Sequence, residues 1–184
     1  MNIANLLTIS RIIMSPLILI MFQLSDIPMH ISLIILLIVL CVYSEISDIL
    51  DGHLSRKFNT ASDFGKLADP FADSIYHLTI FFCFAQQNWI PLWMPMVLLY
   101  RDLIVSALRM YALNKKIIIG ARGSGKIKAI VQGTCSIVIL VLILKEGGSI
   151  IRIDNKIYWL GLIAVLTTVW SAIDYSFGIL RKVN

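Results

Sequence analysis

Residues 48–73 read DILDGHLSRKFNTASDFGKLADPFAD and hold five aspartates, four of them in two pairs, Asp48 with Asp51 and Asp69 with Asp73. Residues three or four apart on a helix share a face, so each pair can direct two carboxylates at one point. The flanking runs are apolar, a costly setting for four acids that do nothing there. Carboxylates are hard oxygen donors suited to Mg²⁺ or Mn²⁺. Two such pairs facing each other would form a cage for two ions. Between the pairs lie Gly52, Arg56 and Gly65, where a phosphate could approach the backbone closely. The competing reading has the acids pair with nearby Arg and Lys and only anchor helix ends. An i,i+3 pair followed at this gap by an i,i+4 pair argues against it.

The elements that must carry these residues are apolar. Of 184 residues, 58% are hydrophobic and only 15% charged, with a mean hydropathy of +0.84. A helix needs ~20 apolar residues to cross the hydrocarbon core, and several such runs occur. The expectation is an all-α integral membrane protein forming a single domain over residues 1–184, without a separate soluble domain. The first run carries Arg11 and lacks a small-x-small site, so it does not read as a cleavable signal. The net charge of +5 fits basic loops on one membrane face and not nucleic-acid binding. Cys41, Cys83 and Cys135 fall in different apolar runs without metal-ligand spacing, and read as small buried hydrophobes.

Six transmembrane helices are expected. They cover 2–24 (with a kink expected at Pro16), 31–56, 63–84, a fourth ending near Leu113, 127–144 and 157–179. Asp48 and Asp51 occupy the last turns of the second, with Glu45 one turn below. Asp69 and Asp73 occupy the first turns of the third, where Pro70 is tolerated. His77 lies one turn beyond Asp73 and reads as a core residue or as support for that carboxylate. The fourth helix holds Arg101, Asp102, Ser106 and Arg109. Arg101 and Arg109 are eight apart and so nearly on one face, either as a functional site or as ion pairs holding helices together. The basic link NKKIIIGARGSGKIK (114–128) carries Lys126 and Lys128. It is a cytoplasmic charge cluster or an anion site, and its glycine spacing is not that of a P-loop. The links at 24–30 and 86–93 have no Lys or Arg, and the tryptophans of the second suit an interfacial belt. Near the span ends, one side has eleven basic residues (Arg11, Arg56, Lys57, Lys66, Lys115, Lys116, Arg122, Lys126, Lys128, Arg181 and Lys182) and the other three (Lys145, Arg152 and Lys156). That bias puts both termini and the aspartates in the cytoplasm.

The spacing D-x2-D-G-x2-[A]-R-x8-G-x3-D-x3-D, filled by Asp48, Asp51, Gly52, Arg56, Gly65, Asp69 and Asp73, resembles the CDP-alcohol phosphotransferase family. Ser55 stands where that family usually has Ala. The opening NLLTISR (residues 5–11) resembles the family's N-terminal signature. The resemblance implies two Mg²⁺ or Mn²⁺ ions, with Asp48 and Asp69 bridging both, Asp51 completing one site and Asp73 the other. It makes Asp73 the general base. It also implies that Gly52, Arg56, Ser62 and Gly65, with Asn5 and Thr8, contact the cytidine diphosphate of CDP-diacylglycerol, and that the protein is a homodimer.

RDLIVSALR (101–109) and GKIKAIVQ (125–132) resemble the phosphatidylglycerophosphate-forming branch, whose acceptor is sn-glycerol 3-phosphate. Arg101, Arg109, Lys126 and Lys128 would then hold the acceptor phosphate. Asp102 replaces the usual Glu and Ala129 the usual Thr. With its N-terminal segment the resemblance covers roughly residues 3–145. The expectation is transfer of a phosphatidyl group from CDP-diacylglycerol to sn-glycerol 3-phosphate with release of CMP, at a bacterial inner membrane. An Arg-Asp pair at this point also resembles the members that use phosphatidylglycerol, the cardiolipin-forming alternative. Serine or inositol phosphate are further acceptors the motif allows. An ion or proton transporter fits poorly, because the acids cluster at one membrane face and no inverted repeat of broken helices is present.

Overall fold

In a computed structural model the described residues are 3–25, 29–57, 63–115, 123–148 and 154–183. Within them the side chains of 3–5, 7, 48–57, 63–69, 113–114 and 180–183 lie outside the description. Ser62 lies outside it altogether. The described chain is all-helical: α1 (Ile3–Gln23), α2 (Ile31–Lys57), α3 (Asp63–Gln86), α4 (Trp93–Asn114), α5 (Gly123–Lys145) and α6 (Asn155–Val183). The bounds of these helices lie close to the expected ones. The main difference is α5, which begins four residues earlier than expected, so the glycines of GSGK are helical and Lys126 joins Lys128 on the helix. The helix α1 continues through Pro16.

Local chemistry sets several ends. Asp154 caps α6, its Oδ1 accepting from the Lys156 N–H at 2.7 Å. The helices α3 and α5 both end in Schellman turns. In α5 the Gly148 N–H donates to the Ile143 carbonyl at 3.0 Å and the Gly147 N–H to Leu144 at 3.1 Å. In α3 the Trp89 N–H donates to Phe84 and the Asn88 N–H to Ala85, with Asn88 at φ 57°.

The Schellman turn of α3 drops Trp89 back onto Phe84, with ring centroids 5.7 Å apart. Phe22 of α1 packs edge-on against both rings. Trp89 is therefore a core residue, 2% exposed, and not part of an interfacial belt; Trp93, at 44%, is exposed. The apolar core runs from this aromatic cluster through Ile80, Met94, Ile139, Leu140 and Ile157. The helix α5 is the hub, packing on α2, α3 and α6, while α4 packs on α6 and α1 on α3. All three cysteines are buried and free, as their apolar surroundings led us to expect.

Among the described residues two helices, α5 and α6, are long and apolar enough to cross a membrane by length and composition. The apolar parts of α1 and α2 are shorter, at 8–23 and 31–47. Large apolar side chains are exposed along α1, α2, α4 and α6, including Leu17, Ile20, Val39, Leu103, Ile104, Leu166 and Phe177.

Gly147 and Gly148 both take positive φ. A Cβ on Gly147 would meet nothing, whereas one on Gly148 would run into the Met29 backbone oxygen. Gly147→Ala is therefore expected to cost about 1 kcal/mol from the left-handed backbone alone. Gly148→Ala is expected to cost about 2–3 kcal/mol, because the turn before α2 must also shift. Thermal unfolding in detergent measures both, and equal shifts would show that the Met29 contact is not a constraint.

Candidate functional site

The helix α2 places Asp48 and Asp51 three residues apart near its C-terminal end, and α3 places Asp69 and Asp73 four apart near its N-terminal end. Each pair thus falls on one helical face. The side chains of Asp48, Asp51, Asp69, Asn5, Arg56 and the surroundings of Gly52 and Gly65 are outside the description. Asp73 is described. Its side chain is 22% exposed, and the buried His77, one turn on, brings Nε2 to 3.0 Å from Oδ1. The same Nε2 lies 3.8 Å from Glu45 Oε1 on α2. The charges of Arg11 on α1 and Lys128 on α5 also act on the Asp73 carboxylate. Thr8, one turn before Arg11, is buried.

Among the described residues no three His, Cys, Asp or Glu side chains form a metal-holding group; Asp73 is the one member of the aspartate quartet described. Its surroundings fit a cation site. It is an acceptor-only oxygen donor, held through one oxygen by a buried imidazole, as metal-ligating side chains commonly are held by hydrogen-bonding neighbours.

A second polar region joins α4, α5 and α6. Ser124, Lys128, Gln132 and Ser136 recur every four residues along α5 and are all buried. Ser124 and Gln132 meet a stripe on α6 formed by Thr168, Ser171 and Tyr175 with Asp174 beside it, while Lys128 reaches α4. Ser124 Oγ donates to Asp174 at 2.6 Å, and Gln132 Nε2 donates to Thr168 Oγ1 at 2.9 Å. Between them Asp102 of α4 accepts from Lys128 Nζ at 2.9 Å and from Arg101 at 2.8 Å. Arg101 also donates to Ser171 at 2.6 Å, and Arg109 donates to the Tyr175 hydroxyl at 3.0 Å. Both guanidinium groups lie within 6 Å of the Tyr175 ring centre, at 5.9 Å and 5.6 Å, a cation–π distance. Arg101 and Arg109 therefore share a face, as their spacing suggested.

The four cations considered for an acceptor phosphate do not form one cluster. Arg101, Arg109 and Lys128 converge around Asp102 and Tyr175. Lys126, two residues from the buried Lys128, is exposed, since side chains two apart on a helix point in different directions. Arg101 Nε and Arg109 Nε are buried without an acceptor among the described residues.

Several residues escaped the sequence reading. Arg11 counted there as a loop charge, but it is 1% exposed. Lys128, also in that count, is 3% exposed. Without them the bias in basic residues is nine against three. Gln132, Thr168, Ser171 and Tyr175 were not singled out, although polar residues every three or four positions in apolar helices are the available signal.

A family model described as CDP-alcohol phosphatidyltransferase matches residues 1–170. Among curated proteins, the chain is similar to three named CDP-diacylglycerol–glycerol-3-phosphate 3-phosphatidyltransferase. The Treponema pallidum protein is 36% identical over 91 residues, which are 50% of this chain and 42% of that protein. The Mycoplasma genitalium protein is 30% identical over 145 residues, 76% of this chain and 61% of that one. The matches thus span less than two thirds of either relative. The Rickettsia typhi protein is 29% identical over 174 residues, covering 92% of this chain and 94% of its own length.

Asp102 is the carboxylate shared by two buried cations, so removing it takes the ion-pair partner from both. Asp102→Ala is expected to destabilise the protein by about 3–5 kcal/mol, whereas Lys156→Ala, at an exposed position, should change stability by less than about 0.5 kcal/mol. Thermal unfolding of both variants in detergent tests this; similar midpoints for the two would show that the Arg101–Asp102–Lys128 group does not hold the bundle.

Proposed function

The chain belongs to the CDP-alcohol phosphatidyltransferase family, and from that premise we propose that it transfers the phosphatidyl group of CDP-diacylglycerol to sn-glycerol 3-phosphate, releasing CMP. The observation that carries the reading is the complete motif, Asp48 to Asp73, mounted on two helices of an apolar bundle with Arg11, Lys128 and His77 around its last aspartate. The named relatives support glycerol 3-phosphate as the acceptor.

In this proposal Asp48, Asp51, Asp69 and Asp73 hold two Mg²⁺ or Mn²⁺ ions, which when bound supply positive charge to the diphosphate and its departing CMP. Gly52, Arg56, Ser62, Gly65, Asn5 and Thr8 bind the cytidine diphosphate. Asp73 accepts the proton of the acceptor hydroxyl. That oxygen bonds to the phosphorus bearing the diacylglycerol as the bond from this phosphorus to the CMP oxygen breaks. Arg101, Arg109 and Lys128, with Lys126 at the rim, orient the acceptor phosphate. The buried Nε atoms of Arg101 and Arg109 support this role, since a phosphate would give each the acceptor it lacks among the described residues.

The proposal places all six helices in the membrane, with both termini and the aspartates in the cytoplasm. The exposed apolar faces of α1, α2 and α4 suit lipid contact. The charges that keep α2, α3 and α4 from reading as uniform spans lie in the motif and in the α4 polar stripe. A homodimer and a bacterial inner-membrane location are part of the proposal on the family resemblance. The Arg101–Asp102 pair favours one second reading, phosphatidylglycerol as acceptor, because it already neutralises part of the cationic group.

CMP release by purified protein in detergent, with CDP-diacylglycerol, Mg²⁺ or Mn²⁺ and one acceptor at a time, tests the proposal. Release with glycerol 3-phosphate alone is expected. Release only with phosphatidylglycerol would establish the second reading, and no release with any acceptor would overturn both. Asp73→Asn should lower turnover by at least about 100-fold while CDP still binds; near-normal turnover would remove Asp73 as the base. Arg109→Ala should raise KM for glycerol 3-phosphate about 10-fold or more, with little change for CDP-diacylglycerol. An equal change for both substrates would make Arg109 a structural residue.

A further inference from the structure

His77 is almost wholly buried, its side chain 3% exposed, and two carboxylates approach its Nε2. Asp73 Oδ1 is at 3.0 Å, a hydrogen bond; Glu45 Oε1 at 3.8 Å is an electrostatic contact. Two carboxylates at one nitrogen place a proton on Nε2, so His77 donates to Asp73. Nδ1 is buried and has no partner among the described residues. Among the described residues the ring's polar contacts are thus all on its Nε2 side, and the Tyr76 ring packs edge-on against it at 5.4 Å.

Glu45 reaches this point through a gap. A Cβ on Gly133 of α5 would collide with the Glu45 carboxylate. The missing side chain at 133 is thus the space in which that carboxylate lies. Among the described residues α2 and α3 make no close backbone approach, while α5 packs on both. The contact between Glu45 and His77, past Gly133, consequently joins the two aspartate-bearing helices through side chains.

We propose that His77 and Glu45 are positioning residues for Asp73, with Gly133 providing the opening that lets Glu45 reach His77. His77 fixes the Asp73 carboxylate by holding Oδ1, and Glu45 keeps the imidazole proton directed along that line. The kinetic part of this inference rests on the phosphatidyl-transfer reading; the binding part does not.

The test combines Mn²⁺ affinity, read by electron paramagnetic resonance of the purified protein, with kcat and KM for CMP release. His77→Leu is expected to weaken Mn²⁺ binding and lower kcat by about 10–100-fold each, the range seen when a group behind a metal ligand is lost. KM for both substrates should stay within about threefold, because a positioning residue acts through Asp73 and not on either substrate. His77→Gln keeps an N–H donor of similar reach and should recover most of both losses. Gly133→Ala introduces a better helix former and displaces a flexible carboxylate instead of backbone. It should lower kcat about 3–10-fold, and adding Glu45→Gln to it should cause little further loss, since the two changes break one contact.

Unchanged Mn²⁺ affinity and kcat in His77→Leu would overturn the inference. So would a His77→Gln variant no better than His77→Leu, which would make His77 a packing residue. If the unaltered protein releases no CMP but the Mn²⁺ series follows the expected order, the positioning role stands and the catalytic reading falls. If it binds no Mn²⁺, the inference falls as well.

Discussion

A charge enclosed in an apolar bundle is tolerable only when another charge or a hydrogen bond meets it. Asp102, lying between Arg101 and Lys128, is where this constraint bears hardest. Satisfying it fixes the rotation of α4 against α5, and the Arg101–Ser171 bond fixes α6 against α4. Helix packing by leucine and isoleucine alone tolerates small rotations, because one branched side chain fills space much as another does. Hydrogen bonds between stripes do not, since a rotation of one residue would remove all of them together. The apolar core supplies cohesion, and the polar ladder selects which of many similar packings is adopted.

The helix α5 carries this selection across the molecule. One face, with Ser124, Lys128 and Gln132, meets α4 and α6. Another, at Gly133, receives Glu45 of α2. The cationic group proposed for the acceptor and the aspartates proposed for the metal ions are therefore held in register by one helix. Lys128 belongs to both, bonded to Asp102 while its charge also acts on Asp73. In the proposed reaction this couples the two halves of the site without a loop between them.

The legible and illegible parts of the molecule differ in sequence range. The aspartate motif was readable because each pair is three or four residues apart, and helical geometry alone brings such residues together. The six helices were readable because apolar runs and polar links alternate. Arg101–Ser171 and Ser124–Asp174 join residues 70 and 50 apart in sequence, and nothing in one chain pairs those particular stripes. Arg11 was misread because loop-charge counting treats every basic residue near a span end as solvated, whereas this one lies one turn beyond the buried Thr8. Trp89 was misread because aromatic residues in a link suit the membrane interface on average. Here a Schellman turn at Asn88 reverses the chain and returns the ring to Phe84. Lys126 and Lys128 looked alike in a basic link and part company only because that stretch is helical.

The two ends of α3 show how the fold separates cohesion from chemistry. Phe84, in the aromatic cluster with Phe22 and Trp89, lies eleven residues from Asp73, about 16 Å along the helix axis. Tight apolar packing near the carboxylates would exclude both a polar headgroup and the ions proposed to hold it. Packing concentrated at the far end leaves the near end to hydrogen bonds and charges, which tolerate partial solvation; the Asp73 side chain is 22% exposed. A donor with acyl chains in lipid and a diphosphate in water needs such a division, because one molecule must be received by an apolar surface and a charged site a few turns apart. In the proposed function the exposed apolar faces of α1, α2 and α4 and the partly exposed side chain of Asp73 meet both requirements in the same short bundle.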